Sequence, residues 1–448
     1  MSAAGGAAPT APAPPPPPPT TLRQMLLRPG YLRMLVFSTA LGIPVAVACF
    51  LFVGFQHELQ HWVWESLPHS LGMDRAPWWW PLPAFLLAGL ILAPIVTRMP
   101  GKGGHLAVHG LGGGAPIGPR ELPGVVLAAL ATLPLGVVLG PEAPLMAVGS
   151  GLVLLAVKLL RQSPGPQEST LLATAGSTAA ISTILGGPIV AAVLVVEAAG
   201  IGGARLVALL LPCLLASAAG ALAFNGFGDL TGLSIGALSL PGVPPDSGPD
   251  PGDFLWGVPV AVAIAAILTA GRQLGYRTAA FTTRDTGRRT VLCAVAAGVC
   301  VTAYALLTGR DPAEAALSGQ AALGSLAADP AVWSVAALLV LVLCKTLAWG
   351  ICLGSMRGGP IFPSVLIGAA LGVACAGLPG LGFAPGLALG MAAAAATITG
   401  LPLSSSVLAV LLLGPDAHHQ MPLVVTAAVV ACVTAHLLRK DDPKDPAG

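Results

Sequence analysis

The ten-residue sequence GPEAPLMAVG occupies residues 140–149, and the sequence GPIFPSVLIG occupies residues 359–368. Both follow the pattern G-P-x-x-P-x-x-x-x-G, and their first residues, 140 and 359, lie 219 positions apart. Proline fits the first turn of a helix because its missing N–H would have no partner there, and the preceding glycine lets the chain turn. Each copy therefore predicts a helix start with unpaired amides. Inside a membrane such a helix start favours an anion as its partner.

The composition around these two sequences is that of an integral membrane protein. Hydrophobic residues make up 55% of the chain and charged residues only 9%, and the mean hydropathy is +0.83. Ordinary soluble domains carry about 25% charged residues. The 57 glycines and 43 prolines lie within the apolar stretches as well as between them, which predicts tilted and broken helices. The expected fold class is an all-α polytopic membrane protein.

The apolar stretches give the expected spans. They lie near residues 31–54, 81–98, 123–139, 144–160, 171–196, 205–224, 254–270, 291–307, 333–353, 361–399 and 403–437. The last two are too long for one span each.

Charge and composition divide the chain into parts. The proline-rich N-terminus predicts a disordered tail, and Arg23, Arg28 and Arg33 before the first span place the N-terminus in the cytoplasm. Residues 225–253 contain acids but no lysine or arginine, as expected of an extracytoplasmic loop. The predicted parts are a tail at 1–22, a first membrane repeat at 23–224, an extracytoplasmic linker at 225–253, a second, inverted repeat at 254–438, and a cytoplasmic tail at 439–448.

A second pair of related sequences supports the repeat. GPIVAAVL at residues 187–194 follows the first copy, and LPLSSSVL at residues 401–408 follows the second. The prolines of this pair, Pro188 and Pro402, lie 214 positions apart, close to the offset of the first pair. Since the linker divides the chain into halves that begin on opposite sides of the membrane, the repeats have inverted topology.

Glu142 is the main chemical difference between the two copies, because Ile361 stands at the equivalent position. An acidic side chain in mid-membrane costs about 2.5–3.5 kcal/mol on insertion scales, so it should face a pathway or a partner. A carboxylate that only caps its own helix is the structural alternative, and the two interpretations are compatible. A carboxylate lying where an anion would otherwise bind acts as a gate.

Other polar residues are open to two interpretations each. The segment Gly101-Lys102-Gly103-Gly104 is either an anion-binding nest of backbone amides with a cation or a flexible loop with a snorkelling lysine. Glu197 is a candidate proton relay or a capping acid. For Lys345 and Arg357, we favour snorkelling or structural pairing.

Several classes of function lack their sequence patterns. His105 and His109 have no neighbouring acid that would complete a metal site, and no metal or cofactor is expected. No motif of a metalloprotease, serine hydrolase or ATP-binding loop occurs, so we do not expect an enzyme. No basic patch with interleaved aromatic residues indicates nucleic acid. The eight cysteines lie in or beside apolar stretches and are expected to be buried hydrophobic residues.

These features resemble the CLC family of chloride channels and chloride/proton antiporters. Three segments match family motifs in the family's order: residues 101–105 where the family has GSGIP, residues 140–144 where it has GREGP, and residues 358–363 where it has GGxFxP. The resemblance covers about residues 30–438 and implies two inverted repeats, one anion pathway per subunit and a homodimer. A bacterial-type member without CBS domains is expected.

The resemblance also implies roles for individual residues. Glu142 corresponds to the gating glutamate, and the segment Gly101–Gly104 to the inner anion-binding loop. Backbone amides of Ala143, Ile361 and Phe362 are expected to face the anion. The anion-binding residues that the resemblance implies are thus Gly101, Lys102, Gly103, Gly104, Ala143, Ile361 and Phe362.

The chain departs from the family at several positions that bear on transport. Lys102 replaces the anion-coordinating serine, so it either binds the anion by charge or pairs with Glu142 and locks the site. Pro141 and Pro360 remove two N–H donors. Ala198 stands where proton-coupled members carry an inner glutamate, with Glu197 one residue earlier, and the family's tyrosine in a final helix has no counterpart.

The sequence therefore predicts transport of chloride or a similar small anion through a glutamate-gated pathway in the plasma membrane. Passive or weakly proton-coupled movement is favoured because of Ala198. Three alternatives remain: a proton-coupled antiporter, a protein tuned to another anion such as fluoride or nitrate, and, more distantly, a membrane scaffold or intramembrane enzyme. The expected partners are the anion, protons, the lipid bilayer and a second copy of the chain.

Overall fold

The computed structural model describes most of the chain. The described residues are 21–28, 30–110, 116–162, 164–185, 187–231, 240, 243 and 248–439. The tail predicted at 1–22 lies outside them except for residues 21 and 22, and the tail predicted at 439–448 lies outside them except for Arg439.

The first half of the described chain contains nine α-helices. These are α1 (Leu22–Leu26), α2 (Tyr31–His61), α3 (Leu67–Ser70), α4 (Pro81–Arg98), α5 (Leu122–Thr132), α6 (Glu142–Leu159), α7 (Pro166–Ser182), α8 (Pro188–Ala198) and α9 (Gly203–Thr231). A five-residue π-helical turn, Trp62–Ser66, connects α2 to α3. Two 3₁₀ turns, Pro100–Gly103 and Ala107–His109, follow α4.

The second half of the described chain contains eight α-helices. They are α10 (Pro251–Thr282), α11 (Thr286–Thr308), α12 (Gln320–Ala328), α13 (Val335–Ser355), α14 (Ile361–Ala374), α15 (Phe383–Thr399), α16 (Pro402–Leu413) and α17 (Met421–Leu438). Among the described residues, eight helical segments are long and apolar enough to cross a membrane. The described residues contain no β-strand beyond one isolated bridge, so the prediction of an all-α membrane fold is confirmed.

The helix boundaries correct two of the sequence predictions. The stretch 171–196 was expected to be one span, but α7 ends at Ser182 and α8 begins at Pro188. The break occurs because Pro188 has no amide to donate and Gly187 takes a φ of +150°, which favours glycine. Helix α9 continues to Thr231, seven residues into the predicted linker.

The long stretches 361–399 and 403–437 each form two helices, which confirms that neither is a single span. In addition, all eight cysteines are free thiols, of which five are buried and three are partly buried.

Glycine contacts hold the central helices together in the same way in both halves. A Cβ atom on Gly149 of α6 would overlap the carbonyl of Gly176 on α7, and one on Gly368 of α14 would overlap the carbonyl of Gly390 on α15. Gly149 and Gly368 are the last glycines of the two ten-residue sequences. Small residues let helix backbones approach closely where lipid gives no hydrophobic driving force. The final glycine of the pattern thus serves helix packing.

The two ten-residue sequences meet at the centre of the molecule. Gly140 donates its N–H to the carbonyl of Gly359 at 2.7 Å, and Gly359 donates to the carbonyl of Gly140 at 2.6 Å. This pair is the isolated antiparallel bridge. It places the N-terminal ends of α6 and α14 side by side, although the two sequences are 219 residues apart. The bridge therefore joins the two halves at their helix starts.

Candidate anion pathway

Glu142 is the first residue of α6 and is fully buried. Its Oε1 atom accepts a hydrogen bond from the amide of Phe362 at 2.9 Å, whereas Oε2 has no partner among the described residues. A Cβ atom on either Gly140 or Gly359 would overlap the carboxylate, so a side chain at either bridge position would displace Glu142 from this place. The carboxylate of one half therefore occupies the helix start of the other half.

Both prolines of the bridge region lie one residue earlier than a first-turn position. Pro141 is the N-cap of α6 and Pro360 is the N-cap of α14, so neither is inside its helix. The helices begin at the equivalent residues Glu142 and Ile361. The side chains of Ile361 and Phe362 are buried in the core, so these residues can meet an anion only through their amides. In this structure the amide of Phe362 is taken by Glu142.

Two cavities lie on either side of this centre. The larger has a volume of about 210 Å³, and its lining includes Gly103, Gly104, Ala143, Arg357 and Gly358. The smaller, of about 40 Å³, is lined by residues that include Gln56, Gln60, Leu139, Pro141 and Gln320. Glu142 and the glycine bridge lie between the residues that line the two cavities. Pro141, the residue before Glu142, lines the smaller cavity, and Ala143, the residue after it, lines the larger.

The Gly101–Gly104 segment is only partly available for anion binding through its backbone. The amide of Lys102 donates to the carbonyl of Met99, and the amide of Gly104 donates to that of Gly101. Lys102 takes a left-handed conformation with φ +50°, and its side chain is exposed. No ion pair connects Lys102 to Glu142 among the described residues, so in this structure Lys102 does not lock the carboxylate.

Arg357 is held by backbone carbonyls in the wall of the larger cavity. The side chain is only 8% exposed, so of the two interpretations favoured from the sequence it fits structural pairing and not snorkelling. Its Nε donates to the carbonyl of Lys102 at 3.1 Å and its Nη1 to that of Met356 at 3.2 Å. The sequence could have indicated that Arg357 lines a cavity, because it is a charge between two apolar helices. The same argument singled out Glu142.

Lys345 confirms the expectation of structural pairing. The side chain is fully buried in α13, and its Nζ lies 2.8 Å from the carbonyl of Ala316 and 3.0 Å from that of Ala315. The carbonyls of Glu314 and Leu317 lie at 3.3 Å. The ammonium group thus donates hydrogen bonds to the carbonyl oxygens of four consecutive residues in one turn. That turn leads directly into the wall of the smaller cavity at Ser318 and Gly319.

An ion-pair cluster fixes the start of the same turn. Arg310 makes two hydrogen bonds of 2.8 Å to the carboxylate of Glu314, and its guanidinium lies 3.9 Å from the ring centroid of Trp333. Tyr304 donates its hydroxyl to the same carboxylate. A bidentate pair with a stacked aromatic ring is a strong fixed contact.

Glu197 lies near the end of α8 and accepts hydrogen bonds from the start of α16. Its oxygens receive the amide of Leu403 at 2.8 Å, the amide of Ser404 at 2.7 Å and the hydroxyl of Ser404 at 2.7 Å. These are the contacts of a helix cap supplied by another helix. The geometry therefore favours the capping interpretation of this residue over the proton relay.

His105 and His109 lie beside the larger cavity but form no metal cluster. No group of three or more metal-ligating side chains occurs within the part of the chain that the structure describes. Desolvation, together with nearby Arg272 and His105, lowers the pKa of His109 below its ordinary value. His109 is therefore neutral near pH 7 and adds no charge to the cavity mouth.

The sequence was then compared with known protein families. The family described as "Voltage gated chloride channel" matches residues 101–436, which is most of the chain. The chain belongs to the voltage-gated chloride channel (CLC) family. It is accordingly a multi-pass integral membrane protein of a family that transports anions. Glu142, Phe362, the glycine bridge and both cavities lie within or beside the matched region.

Relatives of known name agree with this assignment. The chain is 29% identical over 366 residues to "Putative ion-transport protein YfeO" of Escherichia fergusonii, with 78% of this chain and 81% of that protein covered. It is 29% identical over 368 residues to the protein of the same name in Escherichia coli O1:K1 / APEC, with the same coverage.

Solved structures agree in fold at low sequence identity. A CLC-type fluoride/proton antiporter has a TM-score of 0.69 at 18% identity, over 91% of this chain and 95% of that chain. A slow cyanobacterial Cl⁻/H⁺ antiporter has a TM-score of 0.74 at 16% identity, over 92% and 95%. The predicted CLC-type fold is confirmed by these similarities.

Proposed function

We propose that this protein moves chloride or a similar small anion along a pathway that Glu142 gates. The observation that carries the proposal is the hydrogen bond from the Phe362 amide to the Glu142 carboxylate, in a buried position between two cavities. A carboxylate is itself an anion, so it fills the helix start that an incoming anion would use. When Glu142 is protonated or displaced, that amide becomes available.

The residues around the gate supply the proposed anion contacts. Amides of Ile361 and Phe362 belong to the start of α14, and Ala143 lies in the first turn of α6 and lines the larger cavity. Gly103 and Gly104 line the same cavity. Lys102 and Gly101 lie at its exposed edge, where Lys102 attracts anions by its charge.

We propose passive or weakly proton-coupled movement. Ala198 stands at the position where proton-coupled members carry an inner glutamate, and the carboxylate of the adjacent Glu197 is committed to three hydrogen bonds at the start of α16. Neither residue is free to relay protons to Glu142. Strict antiport is the second candidate, because both solved structures named above are proton antiporters. Their substrates, fluoride and chloride, leave the anion open.

Anion release from proteoliposomes tests the gate. We expect Glu142→Gln to release chloride faster than the unsubstituted protein and to lose the dependence on pH between 5 and 8, because an amide side chain carries no titrating charge. Glu121→Gln, which changes an acid outside the centre, is the matched control and should keep the original pH profile. An unchanged pH profile in Glu142→Gln would remove Glu142 from the gate.

Proton movement in the same vesicles tests the coupling. A chloride gradient is imposed across vesicles that hold a pH-sensitive dye, with valinomycin and potassium to set the membrane potential. Passive transport predicts no proton movement against its own gradient. Uphill proton movement would reject passive transport and support the antiporter.

We further propose a homodimer in the plasma membrane with both termini in the cytoplasm. Exposed apolar side chains recur at four-residue spacing along α17, at Val425, Val429, Val433 and Leu437. A helix face of this kind fits either lipid or a second copy. Single-molecule photobleaching of labelled protein in liposomes should show two-step bleaching, whereas single steps throughout would exclude the dimer.

A further inference from the structure

The larger cavity contains one fixed cation that neither the gate nor the helix starts explain. Arg357 is 92% buried, since its exposed fraction is 8%, and its side chain lines the cavity together with Gly358 and Ala143. Gly358 and Ala143 belong to the two segments that meet at the glycine bridge. Arg357 is thus two residues from Gly359, which lies against the Glu142 carboxylate.

The hydrogen bonds of Arg357 leave part of its donor set unused. The group has five N–H donors. Nε donates to the carbonyl of Lys102 and Nη1 to the carbonyl of Met356, which fixes the plane of the guanidinium. No acceptor is present for Nη2 among the described residues. One side of the fork therefore remains available to a ligand in the cavity.

Apart from Arg357 and His105, the polar side chains of the cavity wall are three hydroxyls. Those of Ser150, Thr174 and Ser177 donate to the backbone carbonyls of Ala147, Thr170 and Met146, respectively. No aspartate or glutamate is among the residues that line this cavity. Likewise, no ion pair joins Arg357 to an acid in the described part of the chain. A buried cation without a counter-charge is costly, so an anion is the partner this cavity favours.

We propose that Arg357 is an anion-binding residue of the pathway and that it favours small planar oxyanions, such as nitrate, over halides. This inference rests on the proposed transport function and narrows its substrate class. A guanidinium is a planar fork whose N–H groups match two oxygens of a flat anion, whereas a spherical halide meets only one such direction well. The cavity of about 210 Å³ has room for a polyatomic anion together with water.

The place of Arg357 gives it a role at the mouth of the gate. An anion held at the guanidinium lies next to the first turn of α6 and the backbone before α14. When Glu142 leaves the Phe362 amide, the held anion is the nearest replacement. Selection by Arg357 thus precedes passage through the centre, and it affects which anion reaches the gate.

Competitive anion release from proteoliposomes tests this inference. Vesicles are loaded with equal concentrations of nitrate and chloride, and both released anions are measured by ion chromatography. The nitrate-to-chloride ratio is the readout, since it does not depend on how much of each variant is active. We expect a ratio above one for the unsubstituted protein. Arg357→Gln should lower it about fivefold or more, as expected for the loss of charged hydrogen bonds.

Two further variants separate the planar fork from charge in general. Arg357→Lys keeps the charge but loses the fork, so we expect total release to be retained and the ratio to fall. Arg277→Gln removes an exposed arginine of α10 and should leave the ratio unchanged. Each variant is first checked for a monodisperse elution profile.

The outcomes separate a failure of this inference from a failure of the proposed transport function. A ratio near one in the unsubstituted protein, or a ratio that Arg357→Gln does not change, would overturn the role of Arg357 while anion transport stands. If Arg357→Lys kept the nitrate-to-chloride ratio of the unsubstituted protein, the role of the planar fork would be overturned. If the unsubstituted protein released neither anion, the proposed transport function itself would fail.

Discussion

The two ten-residue sequences at 140–149 and 359–368 share a backbone plan but differ in chemistry. Both lead through a Gly-Pro pair into a helix, and both end in a glycine that packs against the next helix. Their first glycines pair with each other in the bridge. At the third position, however, one copy has Glu142 and the other has Ile361. The shared positions build the scaffold, and the position that differs carries the gate.

The same division extends to other buried charges. Applying the offset of 219 residues, Lys345 corresponds to Val126 and Arg357 corresponds to Val138. Both buried cations therefore belong to the second half, where the first half has valine. The two carboxylates that accept hydrogen bonds from helix starts of the other half lie in the first half.

Glu142 and Glu197 lie in the first half, and each accepts hydrogen bonds from a helix start of the second half. At these two contacts the first half supplies the acceptors and the second half supplies the donors. The two repeats therefore share one backbone arrangement, and only a few side chains distinguish the proposed pathway from the scaffold. Three experiments at equivalent or facing positions test this comparison, beginning with the largest expected effect.

Packing at the last glycine of each pattern should matter equally in both halves. Gly368→Val is expected to destabilise the protein by about 3 kcal/mol or more, because its side chain would overlap the backbone of Gly390. Gly149→Val should cost a similar amount at Gly176. Unfolding by SDS in mixed micelles measures both.

Gly377, whose surroundings leave space for a side chain, provides the control for this experiment. Gly377→Val should have little effect on the unfolding midpoint. If Gly149→Val proved as mild as the control, the two copies would not share their packing role.

Lys345 tests whether the second half depends on a cation that the first half lacks. We expect Lys345→Met to destabilise the protein by about 2–3 kcal/mol, because buried carbonyls at residues 314–317 would lose their donor. The equivalent change in the first half, Val126→Met, should cost less than about 1.5 kcal/mol as a hydrophobic replacement. The same micelle titration compares them, and equal losses would show that burial of the side chain matters here rather than the charge.

Glu197 should give the smallest effect. Glu197→Gln weakens a cap on α16, and we expect a loss of about 1 kcal/mol in the free energy of unfolding. Proton movement in proteoliposomes should stay as it was. A change in proton movement without any loss of stability would return Glu197 to the role of a proton relay.

Much of the fold could be predicted from the sequence because its causes are local. Apolar length predicts the spans, and the Gly-Pro pairs predict the helix starts at 140 and 359. The cost of a buried acid identified Glu142 before its partner was known. The break between α7 and α8 was missed because the span was drawn from hydropathy alone, although the Gly187-Pro188 pair is the same kind of helix-start signal as those at 140 and 359.

The parts that could not be predicted depend on contacts between the halves. For Arg357 the choice between snorkelling and structural pairing stayed open, since its neighbours in sequence do not show that it contacts the loop at Lys102. Glu197 could not be assigned as a cap because α16 begins more than 200 residues later, at Pro402. Such contacts depend on tertiary packing, which neither residue spacing nor helix propensity contains.

The glycine bridge also has a consequence for how the protein is made. Phe362, the hydrogen-bond donor to Glu142, is synthesised 220 residues after it. Until then the first half enters the membrane with an acid that has no amide to receive it. The centre of the pathway can therefore assemble only late, when the second half is inserted and Gly359 reaches Gly140. A chain that ends before that point exposes an unmatched carboxylate within the bilayer, a defect by which membrane quality control can distinguish it from the finished protein.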